Sequence, residues 1–305
     1  MVGPLARNDV GRQIRAAAAE YATIADPTSR TSVRARVLQM IDQLGLEQGV
    51  ITTRPVSAEI LQSNATLRGA IVLHLDLVFR SSVTASEVMF TSARGFVRIA
   101  EHESLAGFPV GVLLALPGQT LVRSRRELFS EDGPALADAP MLFVYALATS
   151  PPRLGAGAAL LRSASDACAG LSRPELIAFS PLTGLRARLI RLVDDPAAWE
   201  EMAAASGAGG VDTELLRTEL LDLLARSTMP DFMPEPARSW LAAEARVFAA
   251  SKDYTVGNFH RARGAKLTGV ADGGDPKDSD AMWARAYFDY GHGTGTPSGS
   301  WTYLR

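Results

Sequence analysis

Three short stretches of this chain carry residue types able to do chemistry. The first is Ile177-Ala178-Phe179-Ser180-Pro181-Leu182-Thr183-Gly184-Leu185. A serine directly after a short apolar run and ahead of a proline sits at the carboxyl edge of a strand, where α/β folds hold ligands. The second stretch is Val256-Gly257-Asn258-Phe259-His260-Arg261-Ala262-Arg263-Gly264-Ala265. It sets His260 between an apolar, strand-like segment and a basic turn, and an imidazole titrating near neutrality can move a proton. Both residues also have ordinary structural readings, Ser180 as a turn or helix-capping residue and His260 as a hydrogen-bonded interior side chain. Of the chain's four histidines, His74 lies in an apolar run, His102 at a charged helix end and His292 in a Gly-rich tail.

The third stretch is Pro152-Arg153-Leu154-Gly155-Ala156-Gly157-Ala158-Ala159-Leu160-Leu161. It follows an expected strand and opens an expected helix. Glycines there let the backbone approach a ligand, and the unpaired N–H groups of a helix N-terminus suit an anion such as a phosphate. The plain alternative is an Ala/Gly loop in an Ala-rich protein. The helix lacks the acidic residue that follows a dinucleotide fingerprint, which disfavours that class. The lone Cys168, in an Ala-rich helical pattern, can form neither an internal disulfide nor a Cys-rich metal site and reads as a buried bystander.

Positioning these stretches requires an α/β layer. Met141–Thr149 is an apolar run rich in Phe, Val and Tyr and reads as a central strand, stopped by Pro151-Pro152. The glycine loop, a helix to about Ala169, and a second buried strand over Glu175–Phe179 follow. Val110–Leu116 is a short apolar run ended by Pro117-Gly118, and Gln119–Leu128 alternates as an exposed strand would. Upstream, residues 1–65 read as helical: Arg12–Tyr21 is Ala-rich, and Ser32–Leu44 has helical spacing with Gly45 as its stop. Leu67–Phe79 fits either a strand or a buried helix, its length favouring the helix, and Ser86–Glu101 has a weaker helical pattern. Asp212–Ser227, with Asp212 as N-cap, and Pro236–Ala250 are two further helices. The order of elements implies a helical N-terminal domain over 1–88 and an α/β domain over 89–305.

Composition bounds the function. With 305 residues there is room for one large domain or two ordinary ones. A net charge of −2 gives no reason to expect binding to nucleic acid or an anionic membrane. The N-terminus lacks an apolar signal core, and the longest apolar run, Ala70–Phe79, is broken by His74 and Asp76. A cytoplasmic setting is the expectation.

The glycine loop resembles the acyl-CoA loop of the GNAT superfamily, whose signature is Arg or Gln, two residues, Gly, any residue, then Gly or Ala. Arg153 stands one place inside the usual polar start. By that resemblance Arg153, Leu154, Gly155, Ala156, Gly157 and Ala158 would hold the pyrophosphate of CoA or the phosphate of a phosphopantetheine arm. A second resemblance links the first two stretches with a later one. Ser180-Pro181-Leu182-Thr183-Gly184-Leu185 resembles the Ser-Pro-Ile-Pro-Gly-Phe element of malonyl-CoA decarboxylases. Asn258-Phe259-His260, with Gly264-Ala265 after it, resembles their Asn-Phe-His element. Met282-Trp283-Ala284-Arg285-Ala286-Tyr287-Phe288 resembles their Met-x-Asn-Tyr-x-Tyr-Phe stretch, and the motifs run in the family's order.

The resemblance implies a GNAT-like mixed sheet flanked by helices, preceded by a smaller all-helical domain. It implies Ser180, His260 and Tyr287 as catalytic residues, with Pro181 and Asn258 beside the substrate. The implied reaction is loss of CO2 from a malonyl or substituted malonyl thioester on CoA or an acyl carrier protein. The thioester carbonyl is the electron sink, so no metal or organic cofactor is expected. Ser180 would hold the carboxylate or the enolate oxygen, His260 would deliver the proton, and Tyr287 would be a secondary donor. The competing expectation is a GNAT-type acyltransferase moving an acyl group from CoA to an amine or a carrier thiol, and a binding protein with a decayed site is the third. An oligomer is compatible with each. The sequence also departs from the family: Leu154–Ala158 has no carboxylate, Thr183, Leu185 and Thr255 replace Pro, Phe and Pro, Arg261 and Arg263 flank His260, and Ala284-Arg285 replaces Asn-Tyr. These changes suggest a divergent branch with an altered substrate or carrier.

Overall fold

The computed structural model describes residues 4–46, 49–79, 83–105, 107–151, 154–171, 174–205, 213–228, 233, 235–271 and 278–291. Four expectations fall on residues outside these: Pro152 and Arg153 of the glycine loop, the Asp212 cap, and the tail with His292. In chain order the elements are α1 (Pro4–Tyr21), α2 (Pro27–Leu44), β1 (Ile51–Pro55), α3 (Ala58–Ser63), α4 (Ala65–Phe79), α5 (Ala85–Arg94), β2 (Phe96–His102), β3 (Pro109–Gly118), α6 (Arg125–Leu128), β4 (Met141–Thr149), α7 (Ala156–Ala169), β5 (Glu175–Pro181), α8 (Leu185–Asp194), α9 (Pro196–Ala205), α10 (Thr213–Ala225), α11 (Glu235–Ala250), α12 (Thr255–Arg261), β6 (Lys266–Ala271) and β7 (Arg285–Asp289). They form two compact units, one of residues 1–119 and 134–174, the other of 120–133 and 175–305.

In the first unit β1, β2, β3 and β4 pair in that order, each antiparallel to the next. The ten residues of β3 are all buried, so both faces of that strand are covered. α7 lies on β1 to β4, and α4 and α5 also pack on this sheet. The start of α7 comes close because Gly111 has no side chain: a Cβ there would sit 2.9 Å from Leu160 and 3.2 Å from Ala156. α1, α2 and α4 pack on one another. Gly45 ends α2 in a left-handed conformation (φ 54°), the role its position suggested. α4 is the buried helix expected over Leu67–Phe79, and His74 is fully buried in it, its Nε2 3.4 Å from the Ala148 carbonyl. Cys168 is buried in α7, and burial pushes its thiol up to about 11, as suits a bystander.

Three local readings are corrected. The stretch 1–65 is not helical throughout, because Ile51-Thr52-Thr53, rich in β-branched residues, pairs with β2. Ser86–Glu101 is a helix and then a strand. Thr84 and Glu87 cap α5 reciprocally, and the chain turns at Gly95, where a Cβ would sit 2.1 Å from the Ala115 carbonyl oxygen. Gln119–Leu128 is no strand: the Ser124 side chain accepts from the Glu127 N–H and starts the short α6.

In the second unit β5, β7 and β6 pair antiparallel in that order. α11 and α12 pack on β6, α12 also touches β7, and α8 joins α9 and α10. α10 and α11 fulfil the two expected C-terminal helices.

Candidate active site

Ser180 is the penultimate residue of β5, still within the ladder and 9 % exposed. Its partner across the ladder is Ala286 of β7. Opposed residues on antiparallel strands point to one face, and faces alternate along a strand. Ser180, Ala178, Ala286 and Phe288 therefore share a face, and Phe179 and Tyr287 take the other.

His260 covers the Ser180 face. Asn258-Phe259-His260 is helical, not the end of a strand-like stretch, because the i, i+3 spacing of Gly257 and His260 buries both on one side of α12. A Cβ at Gly257 would sit 2.4 Å from the Tyr254 ring, so the glycine lets that ring lie under the helix. The Tyr254 hydroxyl donates to the Pro181 carbonyl at 2.9 Å and ties the start of α12 to the end of β5. Arg261 donates to the carbonyls of Ala249 and Ser251, both at 2.7 Å, and clamps α12 to the end of α11. The His260 ring stacks on Phe288 with centroids 4.8 Å apart. Its Nε2 lies 3.0 Å from Ser180 Oγ, and its Nδ1 lies 2.6 Å from the Tyr290 hydroxyl.

The structure thus joins two of the three expected catalytic residues. Tyr287 stacks on Phe179, centroids 5.2 Å apart, on the opposite face of the sheet, and its hydroxyl donates to the Val122 carbonyl at 2.5 Å. The tyrosine that meets His260 is Tyr290. Its period-two spacing from Phe288 was the signal for it, readable only once the β5–β7 register is known. Asn258 spends its amide on scaffold contacts, donating to the Lys252 carbonyl at 2.6 Å and accepting from Arg261 at 2.7 Å. Pro181 closes β5 and offers its carbonyl to Tyr254.

The glycine turn has the local form that its motif suggested. Gly155 takes φ 74°, where a side chain would be strained, and opens the 14-residue α7 with no side-chain cap. Among the described residues, and apart from its chain neighbours and its own helix backbone, no atom lies within 4 Å of a Cβ placed at Gly155, so the positive φ is what calls for the glycine. Gly157 and Ala156 are buried in the first turn of the helix, and Leu154 and Ala158 are part-exposed.

No family model and no curated protein matches the sequence. Solved structures do match. The malonyl-CoA decarboxylase of Rhodopseudomonas palustris aligns with a TM-score of 0.59 at 15% identity, covering 94% of this chain and 64% of that one. The enzyme of Agrobacterium vitis gives 0.59 at 17%, covering 85% and 64%, and that of Cupriavidus metallidurans gives 0.53 at 12%, covering 86% and 70%. This chain has the malonyl-CoA decarboxylase fold. The expected α/β class holds, with the helical region α1–α4 ahead of most strands. The chain spans 64% of the length of the first two of these proteins.

Within this malonyl-CoA decarboxylase fold the His260 imidazole is not poised near neutrality as expected. Burial, helped by the charges of Arg263 and Arg261, takes it down to about 4. Burial raises the Tyr290 phenol above its ordinary value. At neutral pH both groups are uncharged. His74 is depressed to about 4 by burial as well. The unfolded chain takes up protons at both histidines near the ordinary 6.5, and the folded chain only near 4. Their contribution to stability is therefore intact above 6.5 and is lost as pH falls towards 4. Urea unfolding measured across that window should show a falling free energy. His74→Gln should make the slope shallower by about one proton. An unchanged slope would mean that the folded protein already carries a proton on His74.

Proposed function

We propose that this chain is a decarboxylase of malonyl or substituted malonyl thioesters, a divergent relative of the malonyl-CoA decarboxylases. The observation that carries the reading is the Ser180 Oγ to His260 Nε2 hydrogen bond of 3.0 Å, buried against Phe288. In the proposed reaction the bond between the α-carbon and the carboxylate carbon breaks. Its electron pair passes into the thioester as an enolate, CO2 leaves, and a proton is added at the α-carbon. The thioester is the electron sink, so the protein's work is to hold the carboxylate out of the carbonyl plane, stabilise the enolate oxygen and supply the proton. Ser180 serves as the hydrogen-bond donor to the acyl group and His260 as the proton source. Because His260 is neutral at pH 7, it delivers its Nε2 proton rather than acting as a resident imidazolium. We assign phosphate binding to the Leu154–Ala158 turn, within the first unit, on the strength of the α7 N-terminus, where Gly155 supplies no side-chain cap. CoA and a phosphopantetheinylated carrier protein are the two candidate carriers, and the expected setting is cytoplasmic.

Incubation with malonyl- and methylmalonyl-CoA, and with the same groups on a carrier protein, tests the reading by mass spectrometry. Acetyl or propionyl thioester should form with no acceptor present. Release of free thiol only when an amine or carrier thiol is added would make the protein an acyltransferase instead. No turnover in any of these mixtures would reject both reactions.

A further inference from the structure

The hydrogen bonds around His260 carry information about direction. A neutral imidazole has one N–H donor and one bare nitrogen acceptor, so the group on Nδ1 decides what Nε2 can do. In a Ser–His–Asp triad a carboxylate accepts from Nδ1–H, which leaves Nε2 bare to take the serine proton. Here the partner on Nδ1 is the Tyr290 hydroxyl at 2.6 Å. The charges that act on His260 are the cations Arg263 and Arg261. A phenol is a far stronger acid than a neutral imidazole N–H, and a bare imidazole nitrogen is a better acceptor than a phenol oxygen. The favoured arrangement is therefore Tyr290 O–H donating to Nδ1.

We propose that Tyr290 is a positioning residue that fixes His260 in the Nε2–H tautomer, so that Ser180 acts as a hydrogen-bond donor to the substrate and not as a nucleophile. The inference rests on the reading of Ser180 and His260 as the acyl site. With Nδ1 occupied by the phenol proton, Nε2–H donates to Ser180 Oγ across 3.0 Å. The serine's own O–H then points to the acyl group. That polarity suits decarboxylation, which needs a donor and a proton source, and disfavours an acyl-serine intermediate, which needs a base on Nε2. The chain can also resupply a proton in balanced steps. As an O–H or N–H proton passes to the α-carbon, the Tyr290 proton moves onto Nδ1, so no imidazolate forms. A water proton taken up at Nε2 through Ser180 then sends the Nδ1 proton back to the Tyr290 phenolate, which restores the Nε2–H tautomer.

Two-bond 1H–15N correlation spectra of protein labelled at histidine nitrogen, recorded at neutral pH, read the tautomer directly. The His260 signal is assigned by its loss in His260→Gln. The expected result is a protonated Nε2 and a bare Nδ1 in the wild type, with Tyr290→Phe admitting the Nδ1–H form. A protonated Nδ1 in the wild type would overturn the proposal, and so would labelling of Ser180 by a fluorophosphonate probe. In the CO2-release assay Tyr290→Phe should lower kcat by about 10²-fold with KM unchanged, since the phenol acts through His260. A rise in KM alone would overturn the positioning role. The spectra need no turnover, so an absent reaction with the expected tautomer would reject the decarboxylase reading and leave the hydrogen-bond assignment standing.

Discussion

In the proposed decarboxylation, His260→Ala is expected to lower kcat/KM by about 10²–10⁴-fold, the range for loss of a positioned proton donor. That corresponds to about 3–5.5 kcal/mol of transition-state stabilisation. Ser180→Ala should fall in the same range, because the hydroxyl is the next link in the same hydrogen-bonded chain. The double variant should be little worse than the poorer single, as happens when residues act as a unit. Steady-state kinetics on the two singles and the double decide this, with circular dichroism to verify folding. Fully multiplicative losses would show that Ser180 and His260 work independently. Tyr287→Phe is the informative comparison. Its hydroxyl donates to the Val122 carbonyl on the far face of the sheet. The expected loss is one buried hydrogen bond of about 1 kcal/mol in stability, with the rate changed little. A 10²-fold rate loss in that variant would restore the catalytic role that the motif resemblance gave to Tyr287.

Phe288→Ala carries the largest expected effect on stability. Phe288 is fully buried in β7, with His260 stacked on it and the Tyr254 ring 6.1 Å away. Truncating a buried phenylalanine costs about 3–5 kcal/mol, from lost transfer energy and from the cavity left behind. The cavity here would open beneath the imidazole, so the ring would lose the surface that holds it against Ser180. The expected outcome is a urea midpoint lowered in proportion, together with a loss of activity under conditions where the variant is still folded. Phe288→Leu keeps much of the volume and should recover most of the stability while leaving a rate deficit, because a leucine gives the imidazole no flat face. Full recovery of both would show that bulk alone, not stacking, positions His260.

Much of the architecture was legible because it rests on local signals. Met141–Thr149 and Glu175–Phe179 are apolar runs of strand length ended by turn residues, and both are strands. Leu67–Phe79 is apolar for longer than a strand needs, and it is a helix. Failures came where the local signal was short or two-sided. Five residues at Ile51–Pro55 carry too few positions to show alternation, and only pairing with β2 makes them a strand. Val256–His260 reads as strand-like by residue type, yet its buried positions follow helical spacing once Tyr254 and Arg261 anchor it.

The same division holds at the site. Residue type and neighbourhood marked Ser180, His260 and the Gly155 turn as candidates, each with an ordinary structural reading beside it, and only the resemblance to malonyl-CoA decarboxylases gave them roles. Which tyrosine serves His260 is not local. Tyr287 and Tyr290 are three residues apart, and an odd number of steps along an extended chain reverses the face. Pairing of Phe179 with Tyr287 sends one tyrosine to Val122, and the return of α12 over Phe288 brings His260 to the other. Burial in that same packing takes the imidazole well below the neutral range that its residue type alone suggested.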